Sequence, residues 1–266
     1  IYERMEVPHT FDGYPPPAPP PTKKMDIFKA EDYKLVDYKA AQAPEKLTTD
    51  YEDLIQYLTA SLGSDLAKVR SVFAWLSSQN VLSTQFPKVV KENTPQAFLK
   101  RIKYDRTLYS DFFALLCSKG AGYEIGQHEL KVTNRWNAVH VQGAWRLVNV
   151  PWALVKTDGL EEDKTWIVVE QCGEACLPRA ESKKEVLQDM DEFWFLTDPE
   201  DFNCFCFARE RRWQLMPEPW TAEVYHGMPK FAQDYFTSDW ELLSEYKSVL
   251  KADKGRCQIR FAHPAN

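Results

Sequence analysis

The hydrophobic period changes once along this chain, from helical to alternating, and that change fixes the fold class. Helical spacing begins near Thr48. Asp50, or the Thr before it, caps a segment running through Leu54, Ile55, Tyr57 and Leu58. Ser64 or Asp65 caps a second, in which Leu66, Val69, Phe73 and Leu76 share a face, with Val72 beside them and Trp75 off the stripe. A third runs from Thr94 to Arg101, with Thr94 as cap and Pro95 in the first turn. Leu108 to Ser118 reads as a fourth, strongly apolar helix, stopped by Lys119-Gly120-Ala121-Gly122. Alternation then takes over in Glu129–Thr133, Trp136–Val141 and Trp145–Val150, with Gln142-Gly143 as a tight turn and a further strand at Thr165–Val169. Helices followed by hairpin-linked strands give an α+β fold, with N-terminal helices packed on an antiparallel sheet.

Both flanks differ in texture. Pro15-Pro16-Pro17-Ala18-Pro19-Pro20-Pro21 is a stiff polyproline run, fit to lie on the domain or to enter a partner's aromatic groove. Residues 1–45 therefore read as an extended arm, and 46–175 as the α+β core. After Cys176 come short aromatic segments, Phe193-Trp194-Phe195-Leu196, Phe205-Cys206-Phe207 and Arg212-Trp213-Gln214-Leu215, and then Cys257 to Phe261. Punctuated by turn residues, residues 176–266 read as a smaller β-rich, sandwich-like module.

Composition narrows the functions. The net charge of −6 over 266 residues leaves no basic stripe for nucleic acid. No apolar run is long enough to span a membrane. Ile1 to Gly13 lacks the charged-then-apolar build of a signal peptide. The six cysteines are too few for a disulfide scaffold, and Cys172, Cys176, Cys204 and Cys206 lack the clean short pairs of a zinc site. Cys204 and Cys206, read as part of a strand, would point to opposite faces. Free thiols in a reducing, cytoplasmic setting, with no metal and no cofactor, are the expectation; a metal or redox module built on those four cysteines is the weaker alternative.

Three segments carry a more specific signal. Thr94-Pro95-Gln96-Ala97-Phe98-Leu99-Lys100-Arg101 is followed by Tyr109-Ser110-Asp111-Phe112-Phe113-Ala114-Leu115-Leu116-Cys117, and then by Trp136-Asn137-Ala138-Val139-His140-Val141-Gln142-Gly143-Ala144-Trp145-Arg146-Leu147-Val148-Asn149. With Val72-Phe73-Ala74-Trp75-Leu76 upstream and Phe195-Leu196-Thr197-Asp198-Pro199 downstream, they resemble the transglutaminase-like domain of the kyphoscoliosis peptidase and hillarin group, over roughly residues 47–264. The resemblance implies a papain-type thiol-enzyme core.

It also implies where the reactive residues belong. The group's Cys-x-Gly-Tyr motif, set on Tyr109, puts the nucleophile at Arg106 and the Gly at Leu108. Its base, two residues before Trp136, falls on Asn134, and its orienting acid on Asn149. An Asn can still orient a histidine. An amide cannot take and return a proton near neutral pH. A guanidinium is no nucleophile, and its charge opposes the helix dipole that would favour a thiolate. The chain is therefore expected to be a pseudoenzyme, with Arg106 filling or remodelling the old slot and with Trp75, Tyr109 and Trp136 lining a remnant binding cleft.

Relocated chemistry has little support. Cys117 lies eleven residues beyond Arg106, about 16 Å along a helix, and His140 lies about 20 Å along a strand from Asn134. His128 has no evident partner, and packed Cys and His residues are common. The competing reading is an active cysteine protease or protein crosslinker using a relocated Cys/His pair. On the leading reading the partners are other proteins, and the resemblance implies cytoskeletal or junctional ones.

Overall fold

The computed structural model describes residues 13–81, 83–121, 135–154, 190–208, 210–238 and 240–263, with 120 and 121 by backbone alone. The N-terminal half is helical. In chain order come α1 (Lys24–Ile27), α2 (Lys34–Ala41), α3 (Tyr51–Thr59), α4 (Asp65–Ser77), α5 (Pro95–Ile102) and α6 (Leu108–Ala121). The caps fall where side-chain chemistry puts them. Asp50 accepts from the N–H groups of Glu52 and Asp53, Ser64 from Ala67 and Thr94 from Ala97, each satisfying donors with no partner inside the helix. Pro95 takes the first position of α5, where its missing N–H costs nothing.

Two helices depart from the sequence expectation. α4 is buried nearly all round, Trp75 included, because α2, α3 and α6 all pack on it. A helix enclosed on every side shows no clean apolar stripe. α6 runs on to Ala121, past Gly120, which is therefore no stop.

The sheet follows. β1 (Asn137–Val141) and β2 (Ala144–Val148) pair antiparallel, with Asn137 opposite Val148 and Val141 opposite Ala144. The two residues between them, Gln142 and Gly143, have φ of 51° and 75°. Two consecutive positive φ values make the mirror-image turn that matches strand twist. α7 (Val150–Ala153) leaves β2 directly, and β3 (Phe195–Thr197) adds to the other side of β2. The strands expected at 129–133 and 165–169 lie outside the described residues.

The expected sandwich-like module is not what residues 190–263 form. Their elements are a 3₁₀ turn at Glu192–Trp194, β3, α8 (Pro199–Asn203), a second 3₁₀ turn at Arg211–Gln214, α9 (Ala222–Gly227), α10 (Gln233–Thr237) and the two-residue strands β4 (Glu241–Leu242) and β5 (Phe261–Ala262). Aromatic enrichment there marks burial. Trp194, Phe195, Phe202, Trp213 and Leu215 all enter the main core, which takes residues from Phe28 to Leu215. The Asn203–Phe207 run is the end of α8 and a turn, and no strand separates Cys204 from Cys206.

The N-terminal arm also needs correcting. Of its described residues only 13–23 precede the first helix. α1 and α2 follow them, and Phe28 and Ala40 are core residues. The tie is Arg70, fully buried on α4. Its guanidinium forks onto Asp37 of α2 at 2.8 and 2.7 Å and donates to both oxygens of Glu192. Phe28 and Phe195 lie 5.1 and 4.9 Å from it. Pairing and aromatic faces together offset the desolvation of that charge.

Candidate functional site

The first sequence-marked position, Arg106, sits in the turn that opens α6. Its carbonyl accepts from the Tyr109 N–H at 3.2 Å, and its side chain is exposed. The guanidinium thus faces solvent at the helix start and does not fill a buried slot, contrary to the expectation. Tyr109, one turn on, is packed into the core. Burial pushes its hydroxyl to about 12, with the charge of Arg106 acting in the opposite direction.

The start of α6 is stitched to the entry of β1. Ser110 Oγ donates to the carbonyl of Arg135 at 2.8 Å, and Asn137 Nδ2 donates back to the carbonyl of Ser110 at 3.0 Å. Arg135 also pairs with Asp111 at 3.0 Å. Asn134 itself lies outside the described residues, but its neighbour Arg135 is held against the first turn of the helix that Arg106 precedes. Asn149 follows Val148, the ladder partner of Asn137. The helix start, the strand entry and the strand exit therefore meet at one end of the sheet.

Asn149 is fully buried and fully engaged. Its N–H donates to Trp194 O at 2.9 Å, and its Oδ1 accepts from the Trp152 N–H at 3.1 Å, capping α7. Its Nδ2 reaches the Sγ of Cys206 at 3.4 Å. The amide thus spends its polar atoms on α7 and on the turn after α8. No hydrogen bond joins Asn149 to Arg106 among the described residues.

The other candidates separate. Trp75 is buried against Phe112, ring centres 6.0 Å apart, and Tyr109 is buried too, so neither lines an open cleft. Trp136 is half-buried, edge-on to Phe202 at 5.7 Å. Cys117 is enclosed in α6, and burial pushes its thiol far above the usual range. Cys204 is pushed up to about 12 by burial and by Asp201. His140 packs against Tyr14 and Trp145, and burial lowers its pKa from the usual 6.5. His128, Cys172 and Cys176 lie outside the described residues. Among the described residues no group of three or more His, Cys, Asp and Glu could hold a metal ion. Nor is any helix there long and apolar enough to cross a membrane.

What the sequence left unmarked is the anchorage of the arm. Trp145 Nε1 donates to Pro15 O at 2.8 Å, and Tyr14 packs on Trp145 and His140. Arg146, buried on β2, donates to the carbonyl and to the hydroxyl of Thr22 at 2.6 Å each. Consecutive strand residues point to opposite faces, so β2 holds the two ends of the arm from its two faces. The Lys24 N–H then donates to Asp198 at 2.8 Å. An Arg alternating with apolar residues in a strand was the only available signal.

No family model matches the chain. Among curated proteins it is 27% identical over 285 residues to the Lim and transglutaminase domain protein ltd-1 of Caenorhabditis elegans, covering 99% of this chain and 37% of that one. It is 28% identical over 274 residues to Hillarin of Drosophila melanogaster, covering 95% and 32%, and 24% identical over 246 residues to Kyphoscoliosis peptidase of Mus musculus, covering 85% and 33%. The chain spans about a third of the length of these relatives. They support the transglutaminase-like group that the sequence segments pointed to.

Proposed function

Taking the chain as a relative of this transglutaminase-like group, we propose that it is a non-catalytic unit that works by binding other proteins. The observation that carries this reading is Arg106. A permanently charged, exposed guanidinium stands in the turn before α6 where the resemblance puts a nucleophilic thiol. The burial of Asn149 adds to it. Both polar atoms of this buried amide are engaged, the oxygen capping α7 and the nitrogen reaching Cys206. Asn134, at the base position, could not shuttle a proton in any geometry.

The alternative, an active protease or crosslinker with a relocated pair, draws no support from Cys117 or His140. One is a buried thiol with a raised pKa, the other an imidazole packed between Tyr14 and Trp145. The partners we propose are proteins, cytoskeletal ones first, in a cytoplasmic setting, with Trp136 as the remnant-cleft residue that stays partly open.

The test combines a limiting dose of a fluorescent iodoacetamide with assays for casein cleavage and for amine incorporation into glutamine-bearing substrate. Slow labelling and no turnover are expected. A single fast-labelling cysteine whose reactivity disappears on replacing a histidine would sink the proposal.

A further inference from the structure

The polyproline run carries an inference of its own. Every peptide bond here is trans. Proline fixes φ near −65° and keeps the residue before it extended, so Pro15 to Pro21 winds as a left-handed helix of three residues per turn. Exposure follows that period. Tyr14, Pro17 and Pro20 are half-buried, whereas Pro15, Pro16, Ala18, Pro19 and Pro21 are exposed. One edge of the three-sided helix lies on the domain and two face solvent. Both ends are tied by backbone carbonyls, Pro15 O to Trp145 and Thr22 O to Arg146, which leaves the outward rings unobstructed.

We propose that this ridge is a pre-formed docking site for a small domain whose aromatic-lined groove reads polyproline, and that such a domain binds while the arm stays on the core. The chemistry of the ridge selects the partner. A proline has no N–H, so the segment cannot add as a strand to an open sheet edge. Its outward side chains are all Pro or Ala and offer neither charge nor side-chain hydrogen bond. Flat apolar rings and free carbonyls remain, and these fit aromatic faces with ring N–H or O–H donors. The spacing fits as well. Pro16 and Pro19 stand three residues apart on one outward edge, with Pro15 and Ala18 on the next, giving two adjacent dipeptides for two adjacent pockets. Anchorage at both ends lowers the ordering cost of binding. The site is independent of the catalytic question, because it would present itself in the same way on an active enzyme.

The experiment titrates the whole chain into a panel of isolated SH3, WW and EVH1 domains, following tryptophan fluorescence and the hydrogen exchange of residues 13–24. At least one domain should bind the intact chain, with the exchange protection of the arm kept or increased. The outward double variant P16E/P19E should weaken that binding by about tenfold or more, and the inward variant P17A/P20A by less than about threefold. The proposal is overturned if no domain binds, if only a free peptide of residues 13–24 binds, if binding strips the arm of its protection, or if the inward variant loses as much as the outward one.

Discussion

The side-chain nitrogen of Asn149 lies 3.4 Å from the sulfur of Cys206, a residue fifty-seven positions further along the chain. This contact ties the exit of β2 to the turn after α8, and with the Trp152 cap it fixes the amide on both sides. N149D keeps the cap but puts a carboxylate into a fully buried site. We expect the variant to lose about 1–3 kcal/mol, the cost of an imperfectly satisfied buried polar group. Urea denaturation at pH 7 checks this, and an unchanged midpoint would show that Asn149 is dispensable to the fold.

Arg70 makes a larger demand. R70M leaves Asp37 and Glu192 without their shared cation. Their side chains are 24% and 39% exposed, so water takes up part of the loss. The expected cost is about 2–3 kcal/mol, at or below the low end of the range for breaking a buried pair. R70K should restore little, because an ammonium cannot fork onto two carboxylates. Full recovery in R70K would mean that charge alone matters there.

Lys24 gives a pH signature. Burial, the largest cause, lowers its pKa from 10.5 to about 8, with the Arg70 charge also lowering it and Glu192 opposing. Between about pH 8 and 10.5 the unfolded chain keeps a proton that the folded chain has released. Stability therefore rises with pH through this window, and the penalty for the buried charge is fullest below pH 8. K24M should show a flatter stability profile than the parent between pH 8 and 9.5. Parallel profiles would count against the lowered value.

Thr22 is exposed, yet its replacement should be felt in the core. T22V removes the hydroxyl that accepts from the buried Arg146 guanidinium, whose Nε has no partner among the described residues. A hydrogen bond to a charged group contributes about 1.5–3 kcal/mol. We expect a loss in that range for T22V and near-parental stability for T22S, read from thermal melts. Equal melts for parent and T22V would show that water replaces the hydroxyl.

Local chemistry was legible in the sequence where it acts over a few residues. Asp50, Ser64 and Thr94 cap the helices that their spacing announced, and Gln142-Gly143 turns the hairpin. Burial without period was not. The Trp213 segment looks like a strand from its aromatic content but is a 3₁₀ turn pressed into the core, and in the Trp194 segment a strand begins only at Phe195, after a 3₁₀ turn. α2 was missed because its amphipathic pattern is weak and its main tie to the core is Asp37, whose partner is thirty-three residues away. At the site, the resemblance marked Arg106 and Asn149. It could not reveal the Cys206 contact, which exists only once β3 and α8 have folded back on β2.

Arg70 also sets an order of events at the ribosome. One of its carboxylates comes from Asp37, already made when the helix appears, and the other from Glu192, more than a hundred residues later. β3, the third strand of the sheet among the described residues, follows shortly after Glu192. A nascent chain that ends before this point lacks one of the two carboxylates that pair with Arg70 and the Phe195 ring that faces it, and β2 lacks its β3 neighbour. The contacts that enclose Arg70 are therefore complete only when the chain has been read past residue 197, and a truncation upstream of that is expected to leave its guanidinium open to water.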